Sequence, residues 1–423
     1  RQFRHEIGYQ NSVLIHVTLV PYLKASGELK TKPTQQSVKA LQGMGISPDV
    51  IVCRTEVPLE DGIESKIALF CNVPEDHVLQ NLDVEYLYEA PLAMEKERLA
   101  HVVCECLNLP CPEPQLGDWK QMVDALKNPT SEVTIALVGK YIQLHDAYLS
   151  VMEALKHGGI ANRTKVTIKW VDSEFLKPEA LDDTFAGVDG IIIPGGFGSR
   201  GTEGMILAAN YARENKIPFL GICLGMQMAM VAFARNVLGY ADANSSELDP
   251  ETTHPVVDLM PDQNGVENLG GTLRLGSYPC VLDKKSKAYS LYGTDMINER
   301  HRHRFEINND YRDDFTSHGM MLSGQSPDGH IVEMIELPDH PFYVGIQAHP
   351  EFKSRPNHAH PLFAGFVESA EEQGVLRRAK KLLMKRNHLS EPEAHRYLQK
   401  TSMDTGRTMA ESAHMVTMLI QED

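Results

Sequence analysis

The sequence predicts an α/β chain of two or three domains with mostly parallel sheets, closed by an all-helical tail. Three observations carry this. Buried apolar strands alternate with helical stretches from the N-terminus to about residue 350. A length of 423 residues exceeds what a single core usually holds. After residue 375 the strand pattern stops, and leucine and alanine recur at helical spacing among lysines and arginines.

Composition narrows the function. Hydrophobic residues make up 42% and charged residues 23% of the chain, ordinary for a soluble globular protein. A net charge of −16 argues against generic nucleic-acid binding by the whole chain and leaves room only for a local basic module. No apolar run reaches membrane-spanning length, and no signal-peptide pattern is present. Seven cysteines, an odd and sparse count, fit a reducing cytoplasm better than a disulfide framework. The chain opens on Arg1 rather than Met, which reads as a fragment or a processed start.

The first domain is expected over residues 1–110. A buried strand at 12–20, a helix at 34–44, a strand at 49–54 and a helix from 64 give the alternation of a parallel sheet. Between the first strand and helix lies Gly27-Glu28-Leu29-Lys30-Thr31-Lys32-Pro33-Thr34-Gln35-Gln36. Lysines and threonines at a helix start suit a polyphosphate, and equally suit a solvated loop feeding a helix. Cys104, Cys106 and Cys111 near His101 lack the C-x-x-C knuckles of a zinc site, so no metal site is expected. Residues 111–130, rich in proline, read as a linker with a helix near 119–126.

A second domain is expected over 131–370. It opens on a strand at 132–139, followed by a helix at 148–157 with Gly158-Gly159 as its stop. Strands follow at 166–171 and 190–194. Then comes Phe219-Leu220-Gly221-Ile222-Cys223-Leu224-Gly225-Met226-Gln227, a short buried strand running through a sharp turn into a helix. This is G-x-C-x-G, the thiol form of the nucleophile elbow. The turn lifts the sulfur out of the sheet and onto a helix N-terminus, which favours thiolate. An inert buried cysteine is the commoner fate of a free thiol, but two further stretches weigh against it. Asp189-Gly190-Ile191-Ile192-Ile193-Pro194-Gly195-Gly196-Phe197-Gly198 is a strand ending in a glycine loop able to aim N–H groups at an oxyanion. Phe342 through Ile346 is a strand leading to His349-Pro350-Glu351, a base with a carboxylate to orient it.

The order of glycine loop, Cys223 and His349-x-Glu351 resembles the class I (triad) glutamine amidotransferases, whose domain has a flavodoxin-like parallel sheet with helices on both faces. Leu19-Val20-Pro21-Tyr22, the Lys30–Gln35 run and Lys66 through Pro74 resemble the synthetase (amidoligase) domain of the CTP synthases, and this likeness runs almost without gaps from residue 1 to 370. The resemblance implies that Lys30, Thr31, Lys32, Pro33, Thr34, Gln35 and Lys66 line a UTP/CTP pocket and that Leu82, Asp83 and Val84 hold the ATP adenine. It implies Gly196 and Leu224 as oxyanion donors, and Gly225, Met226, Gln227, Glu247 and Arg304 around the glutamine. A carboxylate suits the ammonium of that ligand and a guanidinium its carboxylate. Arg304 lies in Arg300-His301-Arg302-His303-Arg304-Phe305-Glu306, a run that alone reads as an exposed basic strand edge. In the family, ATP with magnesium phosphorylates the 4-oxygen of UTP, ammonia from glutamine displaces the phosphate, GTP activates the glutaminase, and the enzyme is a homotetramer. Residues 262–276 resemble the lid that GTP acts through. One departure stands out: no G-x-x-x-x-G-K-[ST] string occurs in the chain, so the P-loop half and the magnesium carboxylates of the synthetase domain are not in it. The glutaminase half-reaction is the activity expected of the chain itself.

Residues 375–423 follow where the family's chain normally ends, as in a joined chain. Leu376 through Arg386 is a basic amphipathic helix, Ser390 caps a second with Glu393 three residues on, and 405–420 gives a third. Ala379 through Met384, Leu389 through Ala394, and Ser402-Met403-Asp404 with Arg407 resemble the ANTAR domain, a three-helix RNA-binding module, which implies an RNA partner. Two other readings stay open: another class I amidotransferase, or a glutamine-sensing RNA-binding regulator.

Overall fold

A computed structural model describes residues 1–259 and 274–421. The chain divides into two units, Arg1–Val123 and Asp124–Asp423.

In the first unit, strands β1 (Ile15–Leu19), β2 (Val50–Thr55) and β3 (Val78–Leu82) pair in parallel in that order. Parallel neighbours need crossovers, and the sequence supplies them as helices α1 (Lys32–Gly43) and α2 (Ile63–Cys71). Helix α1 starts two residues earlier than expected because Pro33, with its preset φ and no N–H, fits the first turn. The central strand is the most buried, and Ile51, Cys53, Val38 and Ile67 pack in one core beside it. The linker helix spans Gly117–Lys127.

The second unit is built on a nine-stranded sheet. Its strands are β4 (Ser131–Gly139), β5 (Thr164–Asp172), β6 (Gly190–Ile193), β7 (Phe219–Ile222), β8 (Arg274–Leu282), β9 (Met296–His303), β10 (Met321–Gln325), β11 (Val332–Glu336) and β12 (Tyr343–Ile346). Their order is β9-β8-β10-β11-β12-β7-β6-β4-β5. The run β12-β7-β6-β4-β5 is parallel, as the alternation of strand and helix predicts. The other four strands extend it in antiparallel fashion, a wing the sequence reading did not anticipate. Side chains alternate through the sheet: Ile191 and Ile193 face one core and Ile192 the other. Helix α3 (Leu149–Ala161) and helix α4 (Leu224–Phe233) cover opposite faces.

Gly158 and Gly159 do not stop α3; the helix runs through them to Ala161. A Cβ on Gly158 would sit 2.6 Å from the Phe363 carbonyl, and one on Gly159 2.5 Å from the Thr164 carbonyl. These glycines let the helix lie close against its neighbours, and packing outweighs their poor helix propensity.

The tail is continuous with the second unit. Helix α5 (Pro361–Asn387) is one 27-residue rod, so the boundary expected between 370 and 375 falls inside it. Helices α6 (Glu391–Thr405) and α7 (Met409–Gln421) fold back on its end. The predicted capping box forms: the Ser390 N–H donates to Glu393 Oε2 at 2.8 Å. Val375, Ala379, Leu383, Ala394, Leu398, Ala413 and Val416 make the small core that holds the three helices together.

Candidate active site

Strand β7 delivers Cys223 to the head of α4 with φ 51° and ψ −103°. A non-glycine residue there costs on the order of 1–3 kcal/mol and persists only where its surroundings impose it. They do so here. The Cys223 N–H is tied to the Ile346 carbonyl at 2.7 Å. A Cβ on Gly221 would lie 2.8 Å from the Gly225 carbonyl, and one on Gly225 would lie 2.0 Å from the carbonyl of Ile193. Both flanking glycines are therefore required by close approach. Cys223 is 6% exposed.

Strand β12 leads to His349. Gln347 N–H donates to the Glu333 carbonyl at 2.9 Å and His349 N–H to the Arg300 carbonyl at 2.7 Å, which fixes the segment after the strand. His349 Nδ1 lies 2.7 Å from Glu351 Oε1. Burial alone would lower the His349 pKa, but hydrogen bonds to Cys223 and Glu351 outweigh it and push it up to about 10. At neutral pH the imidazole therefore holds a proton, as an acid for a leaving amine requires. Gln347 Nε2 also donates to the Cys223 sulfur at 3.6 Å. Gln227 is buried below, its Nε2 3.0 Å from the Phe305 carbonyl and 3.2 Å from Gln347 Oε1. In this arrangement its side chain orients Gln347.

Strand β6 ends in the glycine loop. A Cβ on Gly195 would be 2.8 Å from His349 Cε1 and 3.6 Å from Cys223 Cβ, so the loop presses directly on both residues. Leu224 opens α4, and an N–H in a first turn has no carbonyl a turn earlier to receive it. Gly196 lies beside it, its Cβ position 3.4 Å from Leu224 Cδ2. Met226 and Gly225 are buried in the same first turn. A cavity of about 210 Å³ opens here, bounded by Cys223, His349, Gly195, Gly196, Tyr148 and Phe352.

Glu247 and Arg304 share one electrostatic neighbourhood. Burial raises the Glu247 carboxyl, and the charges of Arg304 and Lys140 pull it part of the way back. The run 300–306 is not simply an exposed edge. Along β9 burial alternates, with His301 and His303 inside and Arg300 and Arg302 outside. His301 Nδ1 and His303 Nε2 are 2.8 Å apart, next to an Arg274–Glu333 ion pair of 2.7 Å. Burial drives the His301 pKa down to about 3 and His303 well below its ordinary value, so both stay neutral. Of the expected lid, residues 262–273 lie outside the described residues.

The stretches expected to meet nucleotides lie at the C-terminal ends of the two outer strands of the first unit's sheet. Residues 30–35 follow β1, and Leu82, Asp83 and Val84 end or follow β3, both at C-terminal ends of parallel strands, where α/β sheets bind ligands. Thr34 is buried and donates to the Leu19 carbonyl at 3.2 Å, and Gln35 Nε2 donates to Thr31 Oγ1 at 3.1 Å; these two contacts hold the helix start. Lys30 pairs with Glu28, while Lys32, Pro33 and Lys66 are exposed. Asp83 pairs with Arg54 at 3.2 Å. The sequence reading missed Lys140, which is 3% exposed and donates to the Phe197 and Gly198 carbonyls; its place at the C-terminal end of β4 was the available signal.

A thiol elbow, an imidazole–carboxylate pair and a glycine loop at the ends of neighbouring parallel strands are the arrangement of a class I glutamine amidotransferase, and residues 143–369 match that family, described as glutamine amidotransferase class-I. Residues 1–109 match the CTP synthase N-terminus and residues 366–416 the ANTAR domain. CTP synthase of Ruminiclostridium cellulolyticum is 60% identical over 372 residues, covering 88% of this chain and 70% of its own length. That of Clostridium beijerinckii is 56% identical over 373 residues, with the same coverage. The glutaminase domain of Trypanosoma brucei CTPS with bound acivicin is similar in structure, with a TM-score of 0.54 and 38% identity over 56% of this chain and 93% of that one. The chain belongs to the CTP synthase family, glutamine-hydrolysing ligases of pyrimidine biosynthesis. Among the described residues no helix is long and apolar enough to cross a membrane.

Proposed function

We propose that Cys223, His349 and Glu351 form the glutamine-hydrolysing triad and that glutamine hydrolysis is the half-reaction this chain performs by itself. The observation that carries the reading is the His349–Glu351 contact of 2.7 Å, with the same imidazole lining one cavity with Cys223, a cysteine on a strained elbow. The Cys223 thiolate attacks the amide carbon, and the oxyanion is met by the N–H groups of Gly196 and Leu224. His349 gives its proton to the departing ammonia, leaving a thioester. The now neutral imidazole takes a proton from water, which attacks the thioester and releases glutamate. Glu247 receives the substrate ammonium and Arg304 its carboxylate.

In this reading residues 1–110 are the C-terminal part of the amidoligase domain, 111–130 a linker, 131–370 the amidotransferase domain and 375–423 the ANTAR-like tail. Lys30 through Gln35 with Lys66 meet UTP, and Leu82, Asp83 and Val84 meet ATP. GTP as activator, homotetramer assembly and a cytoplasmic location belong to the same reading. Magnesium does not fit these residues. It favours carboxylate oxygens beside phosphates, and the one carboxylate among them, Asp83, is paired with Arg54. No step is assigned through it. Supplied with ammonia, UTP and magnesium-ATP, the purified chain should form no CTP, because no P-loop in it clamps the transferring phosphoryl group. CTP accumulation followed by anion-exchange chromatography would refute the restriction to the glutaminase half.

The tail is read as an RNA-binding module with a narrower contact face than the sequence implied. Arg377 Nη2 lies 2.8 Å from Asp189 Oδ1, Arg377 Nη1 donates to the Val188 carbonyl at 2.8 Å, and Arg378 reaches the Glu132 carbonyl at 3.4 Å. Arg377 is turned onto the amidotransferase sheet, while Arg378 stays exposed. Lys380 is half-buried and pairs with Glu391 at 3.0 Å. Lys381 and Lys385 are exposed. Reversing both to Glu should weaken hairpin-RNA binding about tenfold or more, with affinity falling steeply as salt rises. Gel-shift titration at two salt concentrations checks this, and binding indifferent to the reversal would leave the tail only a packing role.

A further inference from the structure

We propose that Lys140 is a positioning residue for glutamine hydrolysis, holding the 195–198 loop so that its N–H groups serve the oxyanion. The proposal rests on the triad reading above.

Lys140 stands at the end of β4, beside the loop that ends β6. Its side chain is buried. Burying an ammonium costs several kcal/mol unless its donors are satisfied. Here Nζ donates to the Gly198 carbonyl at 2.6 Å and to the Phe197 carbonyl at 3.1 Å. The stem runs along the loop, with the Cβ position of Gly196 3.5 Å from Lys140 Cε. The other end of the residue is anchored on rigid structure. Its N–H donates to the Tyr148 hydroxyl at 3.0 Å, and Arg200 Nη2 donates to its carbonyl at 2.8 Å.

Lys140 is therefore a strut between a fixed strand and a glycine-rich loop with little side-chain packing of its own. With the carbonyls of Phe197 and Gly198 committed to the ammonium, the loop keeps its N–H groups for the substrate oxygen. A loop free to turn a peptide would present a carbonyl dipole to a developing negative charge, which opposes catalysis. Burial brings the Lys140 pKa down to about 8, with Arg200 acting in the same direction and Glu247 against it, so the ammonium form prevails at neutral pH.

The test compares Lys140→Met, which keeps an apolar stem and loses every donor, with Lys140→Arg, which keeps donors. In the full chain, Lys140→Met should lower kcat for glutamine about a hundredfold, as when an oxyanion donor is lost. KM should stay within about threefold, and Lys140→Arg should recover part of the rate. Alkylation of Cys223 by iodoacetamide should proceed at the unaltered rate, because that displacement builds no oxyanion. Lys140→Leu, which also lacks any side-chain donor, should show the same split. Unchanged kcat in these variants, or an alkylation rate that falls in step with kcat, would overturn the assignment. Absence of turnover in the unaltered chain would instead overturn the triad reading, and this proposal with it.

Discussion

Replacing Cys223 with alanine is expected to abolish glutamine hydrolysis, by about 10⁴-fold or more, with the fold intact. The sulfur is the only atom removed. Its main partners are His349, which keeps Glu351 at 2.7 Å, and Gln347, which keeps Gln227 at 3.2 Å. Alanine has the same Cβ as cysteine, so the cost of φ 51° is unchanged. Glutamate release and a thermal melt read the two halves of this claim. Surviving turnover would remove Cys223 from the chemistry, and a collapsed melt would make it structural.

Gly225→Ala should be the most damaging single methyl in the site. In an ordinary helix the change stabilises by about 1 kcal/mol. Here the sign reverses, because the new Cβ would stand 2.0 Å from the Ile193 carbonyl, on the strand that leads to the 195–198 loop. Neither side yields cheaply, since one is backbone in β6 and the other the head of α4. We expect a loss of at least about 3 kcal/mol in denaturant unfolding, or insoluble protein. A variant as stable as the unaltered chain, with normal turnover, would show that the elbow tolerates more space than the geometry allows.

Much of the site was legible in the sequence because its chemistry is local. Gly221-x-Cys223-x-Gly225 and His349-x-Glu351 each pack their geometric demands into a few residues at the end of an apolar run. The parallel part of the sheet followed from strand and helix alternation. What escaped depends on distant partners. Gly158-Gly159 looks like a helix stop until Phe363 and Thr164 are placed against it. Arg377, in the basic stretch of the tail, looks solvent-facing until Asp189 and Val188 meet it. The antiparallel wing hides in a run of charged residues, since every second side chain of β9 is buried in pairs such as His301–His303. Lys140 carries one weak signal, its place at the end of a strand, and the loop it grips gives that place its meaning.

The most direct test of the central claim is a time course of the purified chain with glutamine, UTP, magnesium-ATP and GTP, reading glutamate and CTP in the same samples. Steady release of glutamate with no CTP, stopped by alkylation of Cys223, is the result this structure predicts. No glutamate above the blank, or glutamate release that persists after Cys223 is alkylated, would contradict it.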